Sequence, residues 1–191
     1  DRLKERGRIR LIQSRDTILP EAPDFNRNAA LKALEQRGIW VDLETTVSEV
    51  TADSIGLIYK GQTDIIPAEI VMWTVGNQVS PVINHFELPL TAQGKISVTE
   101  MLQVTDNPEI FALGDAAAIV DGEGKSTPTT AQAAFQQSDF VAWNVWSSLT
   151  DRPLLPFRYT NLGEMMTLGH NNAVLSGIGV QVDGPLAYLA R

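Results

Sequence analysis

The sequence contains no cysteine and only two histidines, His85 and His170. Without thiols the chain cannot form disulfides, thiolate metal sites or redox-active cysteine pairs, and this composition fits a reducing compartment. Two histidines provide little material for a histidine-rich metal centre or for a Ser-His-Asp catalytic site. We therefore expect no metal site in this chain.

Basic charge and long apolar runs are also scarce. The 15 basic residues are outnumbered by 23 acidic ones, and the net charge of −8 argues against nucleic acid as a partner. No apolar stretch approaches the roughly 20 residues that span a bilayer, and the charged start lacks a signal-peptide core. Because the chain lacks an initiating Met and its last residues read like the opening of another helix, we expect a fragment of a longer protein.

The patterns that are present predict an α/β fold. Residues 7–13 predict a strand, residues 24–38 a helix that stops at Gly38, and residues 39–43 a second strand. A strand-helix-strand unit indicates a parallel sheet, and the turn-rich stretch 46–67 indicates an antiparallel β flap on it. The apolar stretch before Gly76 predicts a further strand.

The second half of the chain repeats these two kinds of element. Residues 94–115 predict extended segments that end in Gly114-Asp115. Residues 127–150 predict the longest helix, with Thr129 or Thr130 as its N-cap. Residues 151–179 predict a small β region with Gly and Asn turns.

Three stretches carry candidate chemistry, and each has a plainer interpretation. Gly114-Asp115 after a strand places a short carboxylate where ligands bind in α/β sheets, or Asp115 caps a following Ala-rich helix. Gly76 ends an apolar run and exposes backbone to a ligand, or forms a simple turn. Gln132 and Gln136 share one face of a helix beside small alanines and suit a heteroaromatic edge or a carbonyl, or form an ordinary polar stripe. The carboxylates of Glu35, Asp42, Glu44 and Glu49 are expected to be solvated.

The order of these motifs resembles the C-terminal part of a type II NAD(P)H:quinone oxidoreductase, the non-proton-pumping flavoenzyme of the bacterial and cyanobacterial kind. The resemblance runs from about residue 8 to the end of the chain. The A-Q-x-A-x-Q pattern at 131–136 is its most discriminating part, whereas Gly-Asp is shared by many flavoproteins. The motifs that carry it lie at residues 11–25, 71–76, 110–118, 127–137 and 156–174.

The resemblance implies an enzyme that moves a hydride from NAD(P)H to FAD and then electrons to a membrane quinone, with no catalytic side chain required. The positions that it assigns to FAD are Gly114, Asp115, Thr130, Ala131 and Gln132. Those that it assigns to the quinone are Gln132, Phe135 and Gln136. Those that it assigns to NAD(P)H are Gln13, Ser14, Arg15, Val75 and Gly76.

Two departures from the family pattern matter. In NADH-preferring members, the strand that corresponds to residues 8–13 ends in an acidic residue. In this chain that position is Gln13, and Gln13, Ser14 and Arg15 would tolerate or pair with a 2′-phosphate. We therefore expect NADPH to be used at least as well as NADH. The second departure is that no G-x-G-x-x-G phosphate motif is present, so the chain holds half of each cofactor site and should be inactive by itself.

The resemblance also divides the chain and implies its surroundings. Residues 1–79 would complete the NAD(P) domain, residues 80–150 would return to the FAD domain, and residues 151–191 would begin the C-terminal region. C-terminal amphipathic helices beyond this region would hold the enzyme peripherally on the cytoplasmic face of a membrane. Exposed apolar surface predicts a homo-oligomer. Two alternatives stay open: a ferredoxin- or rubredoxin-reductase-like flavoenzyme, and a non-catalytic α/β interaction module.

Overall fold

The chain forms two compact units in a computed structural model that describes residues 9–76 and 78–190. The first unit contains the described residues up to Thr74 together with those from Asn161 onward, and the second contains Val75–Thr160. The assignment of segments to NAD(P) and FAD domains stays a prediction.

The first unit begins with the strand-helix-strand pattern that the sequence predicts. Strand β1 (Arg10–Ile12) pairs in parallel with β2 (Trp40–Asp42), and helix α1 (Asp24–Gln36) connects them. The helix buries Ala30 and Ala33, which lie on one face, and Gly38 ends the turn after it with φ +65°. The parallel arrangement is confirmed, while the first two residues of the predicted strand 7–13 lie outside the described residues.

The predicted β flap is confirmed as a three-stranded antiparallel meander. It consists of β3 (Thr45–Val50), β4 (Ser54–Tyr59) and β5 (Gln62–Pro67), with β4 in the centre. Ile55 and Leu57 of the central strand are buried, which follows from alternation of side chains across the strand. A register shift between Val47 and Glu49 interrupts the first pairing.

The prediction of a strand before Gly76 is wrong. Residues 68–76 contain no strand, and Ile70, Met72 and Trp73 are exposed by 85%, 81% and 63%. The apolar composition of this stretch is typical of a strand, but a strand also needs a neighbouring strand to satisfy its backbone groups. Among the described residues none supplies that neighbour.

The first unit also contains the small β region of the C-terminal part. Strands β10 (Glu164–Thr167), β11 (Ala173–Gly177) and β12 (Val180–Gly184) form an antiparallel sheet, followed by the short helix α3 (Pro185–Leu189). Ala173, Val174 and Ala187 are fully buried, and because successive strand residues point to opposite faces, β11 is buried on both sides. The predicted β region is therefore confirmed from residue 164, whereas residues 151–163 have no regular structure.

The second unit combines short strand pairs with the longest helix. Strand β6 (Ile96–Ser97) pairs in parallel with β9 (Ala117–Ala118), and β7 (Gln103–Val104) pairs antiparallel with β8 (Asn107–Phe111). Helix α2 (Ala131–Leu149) lies within the predicted range 127–150. The core consists of Leu102, Ala117, Ile119 and Phe157, with the Phe140 ring edge-on to Phe157 at 5.2 Å between centroids.

None of the helices in the described part of the chain is both long and apolar enough to cross a membrane.

Candidate functional site

The residues after β8 form a tight turn whose backbone is fixed on both sides. Gly114–Ala116 make a single 3₁₀ turn that the N–H of Ala117 closes by donating to the Gly114 carbonyl. Gly114 has φ +70°, a left-handed conformation that costs a side chain roughly 1–2 kcal/mol and that glycine adopts freely. Ala117 then enters the parallel pair with β6, so the turn is held between two strands.

Asp115 projects from this turn into solvent. Its side chain is exposed, and it makes no hydrogen bond or ion pair with any residue that the structure describes. The interpretation of Asp115 as the cap of an Ala-rich helix is therefore wrong, since Ala117–Ala118 form a strand rather than a helix. A carboxylate displayed in this way can accept hydrogen bonds from ligand hydroxyls.

A residue that sequence reasoning missed holds the turn in place. The side-chain Oε1 of Gln137 accepts the backbone N–H of Gly114 at 2.8 Å, and Gln137 is only 2% exposed. Gln137 lies four residues after Ala133 and seven before Asn144, and all three are buried on one face of α2. A polar residue on a buried helical face must find a partner, and this was the available signal.

The N-terminal turn of α2 lies beside the Gly114 turn. Thr130 is its N-cap, as predicted, because its Oγ1 accepts the N–H of Ala133 at 3.2 Å. Ala131 is exposed. Ala134 lies close to Gly114, because a Cβ atom added to Gly114 would be 3.9 Å from the Cβ atom of Ala134. Phe135, one turn after Ala131 on the same face of the helix, is 74% exposed.

Both predicted quinone-binding glutamines hold the chain segment at 159–160. Gln132 Oε1 accepts the Tyr159 hydroxyl at 2.9 Å. Gln136 makes two bonds to the Thr160 backbone, donating from Nε2 to the carbonyl at 2.8 Å and accepting the N–H at 2.9 Å. Oε1 and Nε2 of Gln136 therefore each have a protein partner, so part of its role is to position this segment.

Further along α2, the buried Asn144 fastens the helix to two other segments. Its Nδ2 donates to the carbonyls of Met101 and Leu155, both at 2.9 Å, and its Oδ1 accepts the Leu155 N–H at 2.8 Å. With no exposed surface and three hydrogen bonds, Asn144 has a structural role away from the Gly114 turn.

Asp121 organises the loop between β9 and α2. Its Oδ1 accepts the backbone N–H groups of Lys125 at 2.9 Å and Glu123 at 3.0 Å. The hydrogen bond from Lys125 is the main cause that lowers the pKa of Asp121, and it outweighs the opposing effect of burial. This carboxylate is engaged within its own loop.

The residues predicted to contact NAD(P)H at the end of β1 form a turn of their own. Gln13 Oε1 accepts the backbone N–H of Arg15 at 3.1 Å and the Ser14 hydroxyl at 3.4 Å. Arg15 Nη1 lies 3.1 Å from Glu21 Oε1, and both side chains are well exposed. An exposed ion pair contributes little free energy, so the Arg15 guanidinium can exchange Glu21 for another anion.

The expectation that the Asp42 carboxylate is solvated is wrong. Arg10 donates to both of its carboxylate oxygens, at 2.7 and 2.9 Å, and this bond raises the pKa of the Arg10 guanidinium. The pair links β1 to β2: Arg10 faces Trp40 across the parallel register, and Asp42 lies two residues further along β2. It also lines a cavity of about 570 Å³ in the first unit, whose wall contains none of the predicted site residues.

Val75 and Gly76, the other residues predicted to contact the coenzyme, lie in the irregular segment. Val75 is 70% exposed, and Gly76 has φ +70° with no atom within 4 Å of a Cβ built on it. The described residues hold no group of three or more acidic, His or Cys side chains that could bind a metal ion.

The residues at the Gly114 turn fit a flavin dinucleotide. An exposed carboxylate stands on a turn that glycine makes possible, and the neighbouring helix begins with a capped turn and a small, exposed Ala131. The hydroxyl groups of a ribityl chain can hydrogen-bond to the exposed carboxylate, and a flat ring can lie close to the small Ala131 at the start of the helix. The contacts themselves remain predictions.

A family model described as pyridine nucleotide-disulphide oxidoreductase matches residues 2–138. The chain is 52% identical over 191 residues to the demethylphylloquinone reductase NdbB of Synechocystis, covering all of this chain and 47% of that protein. It is 41% identical over 212 residues to the alternative NAD(P)H-ubiquinone oxidoreductase C1 of Arabidopsis thaliana, covering all of this chain and 40% of that protein. The chain thus spans about half the length of the curated relatives it matches.

The fold has a solved counterpart in NDH2 of Plasmodium falciparum in complex with NADH. The TM-score is 0.79 at 16% identity, and the match covers 93% of this chain and 51% of that one. The predicted α/β flavoprotein fold and the resemblance drawn from the motifs are both confirmed.

Proposed function

Because this chain belongs to the pyridine nucleotide-disulphide oxidoreductase family, we propose that the protein containing it is an FAD-dependent NAD(P)H:quinone oxidoreductase. The single observation that carries this proposal is the Gly114–Asp115 turn, which displays a carboxylate beside the first turn of α2. Two relatives support the same reaction by their names: one is a demethylphylloquinone reductase and the other an NAD(P)H-ubiquinone oxidoreductase.

In this proposal, the residues around the Gly114 turn bind the flavin. Asp115 would accept hydrogen bonds from the polar stem of FAD, and Thr130, Ala131 and Gln132 would line its ring system. FAD, when bound, supplies the two-electron chemistry that links hydride transfer from NAD(P)H to quinone reduction without proton pumping. The chain's own residues orient the ring, shape its surroundings and need no nucleophile.

The coenzyme would be NADPH at least as readily as NADH. Gln13 and Ser14 place neutral groups after β1 where a carboxylate would repel a 2′-phosphate. Arg15 can form a charge-assisted pair with that phosphate, since its present partner Glu21 is exposed and weakly held. Val75 and Gly76 would face the nicotinamide end.

The electron acceptor would be a membrane quinone. The exposed Phe135 ring offers apolar surface beside Gln132 and Gln136, and the two amides hold the Tyr159–Thr160 segment next to it. We propose peripheral attachment to the membrane through parts of the protein outside this chain, self-association through exposed apolar surface, and inactivity of the chain alone.

The test is flavin retention by the full-length protein and by two aspartate variants. Asp115→Ala should release FAD, because the carboxylate that holds its stem is lost. Asp139→Asn, which alters an exposed carboxylate on α2, is the matched control and should retain FAD. A full-length wild-type protein without a flavin absorption spectrum would contradict the proposal, as would an Asp115→Ala variant that binds FAD as tightly as the control.

A further inference from the structure

The Gly114 turn depends on one buried side chain from a distant part of the sequence. Gln137 lies 23 residues after Gly114 and accepts its backbone N–H at 2.8 Å. The Gly114 carbonyl is already engaged by Ala117, and Ala117 is fixed by its pairing with β6. The Ala112 N–H donates to the Leu102 carbonyl at 3.0 Å, and the Gly114 N–H bonded to Gln137 then fastens the first residue of the turn itself.

Gln137 is itself held rigidly. It lies on the buried face of α2 between Ala133 and Asn144, where packing leaves it 2% exposed. On the same helix, the Phe140 ring packs edge-on against the core residue Phe157, at 5.2 Å between ring centroids. A side chain in such surroundings keeps one rotamer, so its acceptor oxygen is a fixed reference point.

This arrangement decides where Asp115 points. Asp115 follows Gly114 directly, so a change in φ or ψ at Gly114 rotates the whole peptide that carries the carboxylate. Glycine permits many such conformations, and the Gln137 bond selects one of them. The side chain that would touch the cofactor is thus directed by a residue that does not touch it.

We propose that Gln137 is the positioning residue of the flavin site, acting through the Gly114 N–H to hold Asp115 in its binding orientation. The inference rests on the proposed function, since it assumes that Asp115 holds the stem of FAD. It assigns to Gln137 a role different from those of Gln132 and Gln136, which hold the Tyr159–Thr160 segment.

The experiment measures FAD affinity of the full-length protein after removal and re-addition of FAD. Gln137→Met keeps the size of the side chain but removes the acceptor. We expect the Kd for FAD to rise roughly tenfold, which corresponds to the loss of about one hydrogen bond. The visible circular dichroism of the bound flavin should also change. Wild-type affinity and an unchanged flavin signal in this variant would overturn the proposal.

Asn144→Leu is the matched control for general damage. It removes three buried hydrogen bonds on the same face of α2, so it should lower thermal stability at least as much as Gln137→Met. Its FAD affinity should nevertheless equal that of wild type. Equal loss of FAD affinity in both variants would show that Gln137 acts only through stability, and would also overturn the proposal.

A measurement on the wild type decides the matter if Gln137→Met does not fold. In the FAD-free full-length protein, the Gly114 amide should already exchange slowly with deuterium, because Gln137 protects it before the cofactor arrives. Exchange at the rate of an unstructured amide until FAD is added would contradict the proposal. Failure of the wild type to bind FAD at all is a separate result, which would overturn the proposed function instead.

Discussion

Replacement of Gln136 by Leu separates the two roles that this residue combines. The change removes both hydrogen bonds between the Gln136 amide and the Thr160 backbone, at 2.8 and 2.9 Å, while a side chain of similar bulk remains. Because these bonds lie at the surface, each contributes about 0.5 kcal/mol, and the pair about 1 kcal/mol. The Tyr159–Thr160 segment should then lose part of its fixed position beside α2.

The expected functional effect is confined to the quinone step. If the full 1 kcal/mol is expressed in quinone binding, kcat/KM for the quinone falls about fivefold. The rate at which NAD(P)H reduces the flavin should not change, since Gln136 bonds to Thr160 and the Gly114 turn is held by Gln137 instead. Stopped-flow flavin reduction and steady-state quinone reduction, both with the full-length protein, measure the two steps separately.

Gln103→Leu provides the matched control. Gln103 also makes an exposed bond from its amide to a backbone carbonyl, that of Pro108 at 2.7 Å, within the same unit. It should lose a comparable amount of stability with no change in quinone kinetics. Equal losses in flavin reduction and quinone reduction for Gln136→Leu, or a quinone defect in Gln103→Leu, would refute the reasoning.

Three further variants test other parts of the account. Glu21→Gln frees Arg15 from its ion pair, so the ratio of kcat/KM for NADPH over NADH should rise about two- to fivefold; an unchanged ratio would exclude Arg15 from the phosphate site. Gly114→Ala should cost about 1–2 kcal/mol in free energy of unfolding, because φ is +70° there; denaturant unfolding at unchanged stability would contradict the strain. Asp121 has a lowered pKa in the folded state, so its contribution to stability is present above its ordinary pKa of 3.8 and is lost as the pH falls below that value. Asp121→Asn should therefore lose less stability than wild type between pH 5 and about pH 3, and identical pH dependence in the two proteins would contradict this assignment.

Elements with a local sequence signal were predictable. The parallel pair of β1 and β2 follows from the strand-helix-strand order, and α2 is marked by Thr130 at its N-cap. The meander follows from short alternating stretches separated by turn residues. In each case the signal lies within one element or in the order of neighbouring elements along the chain.

Features that depend on distant partners were not predictable. The apolar stretch 68–76 has a strand-like composition, but whether it forms a strand depends on a neighbour that the described residues do not provide. Likewise Asp42 reads as a solvated carboxylate until the parallel register brings Arg10 beside it. Local pattern alone cannot supply such pairings.

The candidate site shows the same division. The family motifs indicate Asp115, Gln132 and Gln136, and their contacts with cofactor and quinone stay predictions. Gln137 is adjacent to Gln136 in sequence, yet the helix rotates its side chain by about 100° onto the buried face, where it meets Gly114. Only the three-dimensional arrangement distinguishes the glutamine that holds the turn from those that hold the Tyr159–Thr160 segment.

The most direct test of the central claim is steady-state quinone reduction by the flavin-loaded full-length protein with NADH and with NADPH. The account predicts turnover with both coenzymes, and a kcat/KM for NADPH at least equal to that for NADH. Absence of quinone turnover would contradict the proposed reaction. A preference for NADH of about tenfold or more in kcat/KM would contradict the role given to Gln13, Ser14 and Arg15.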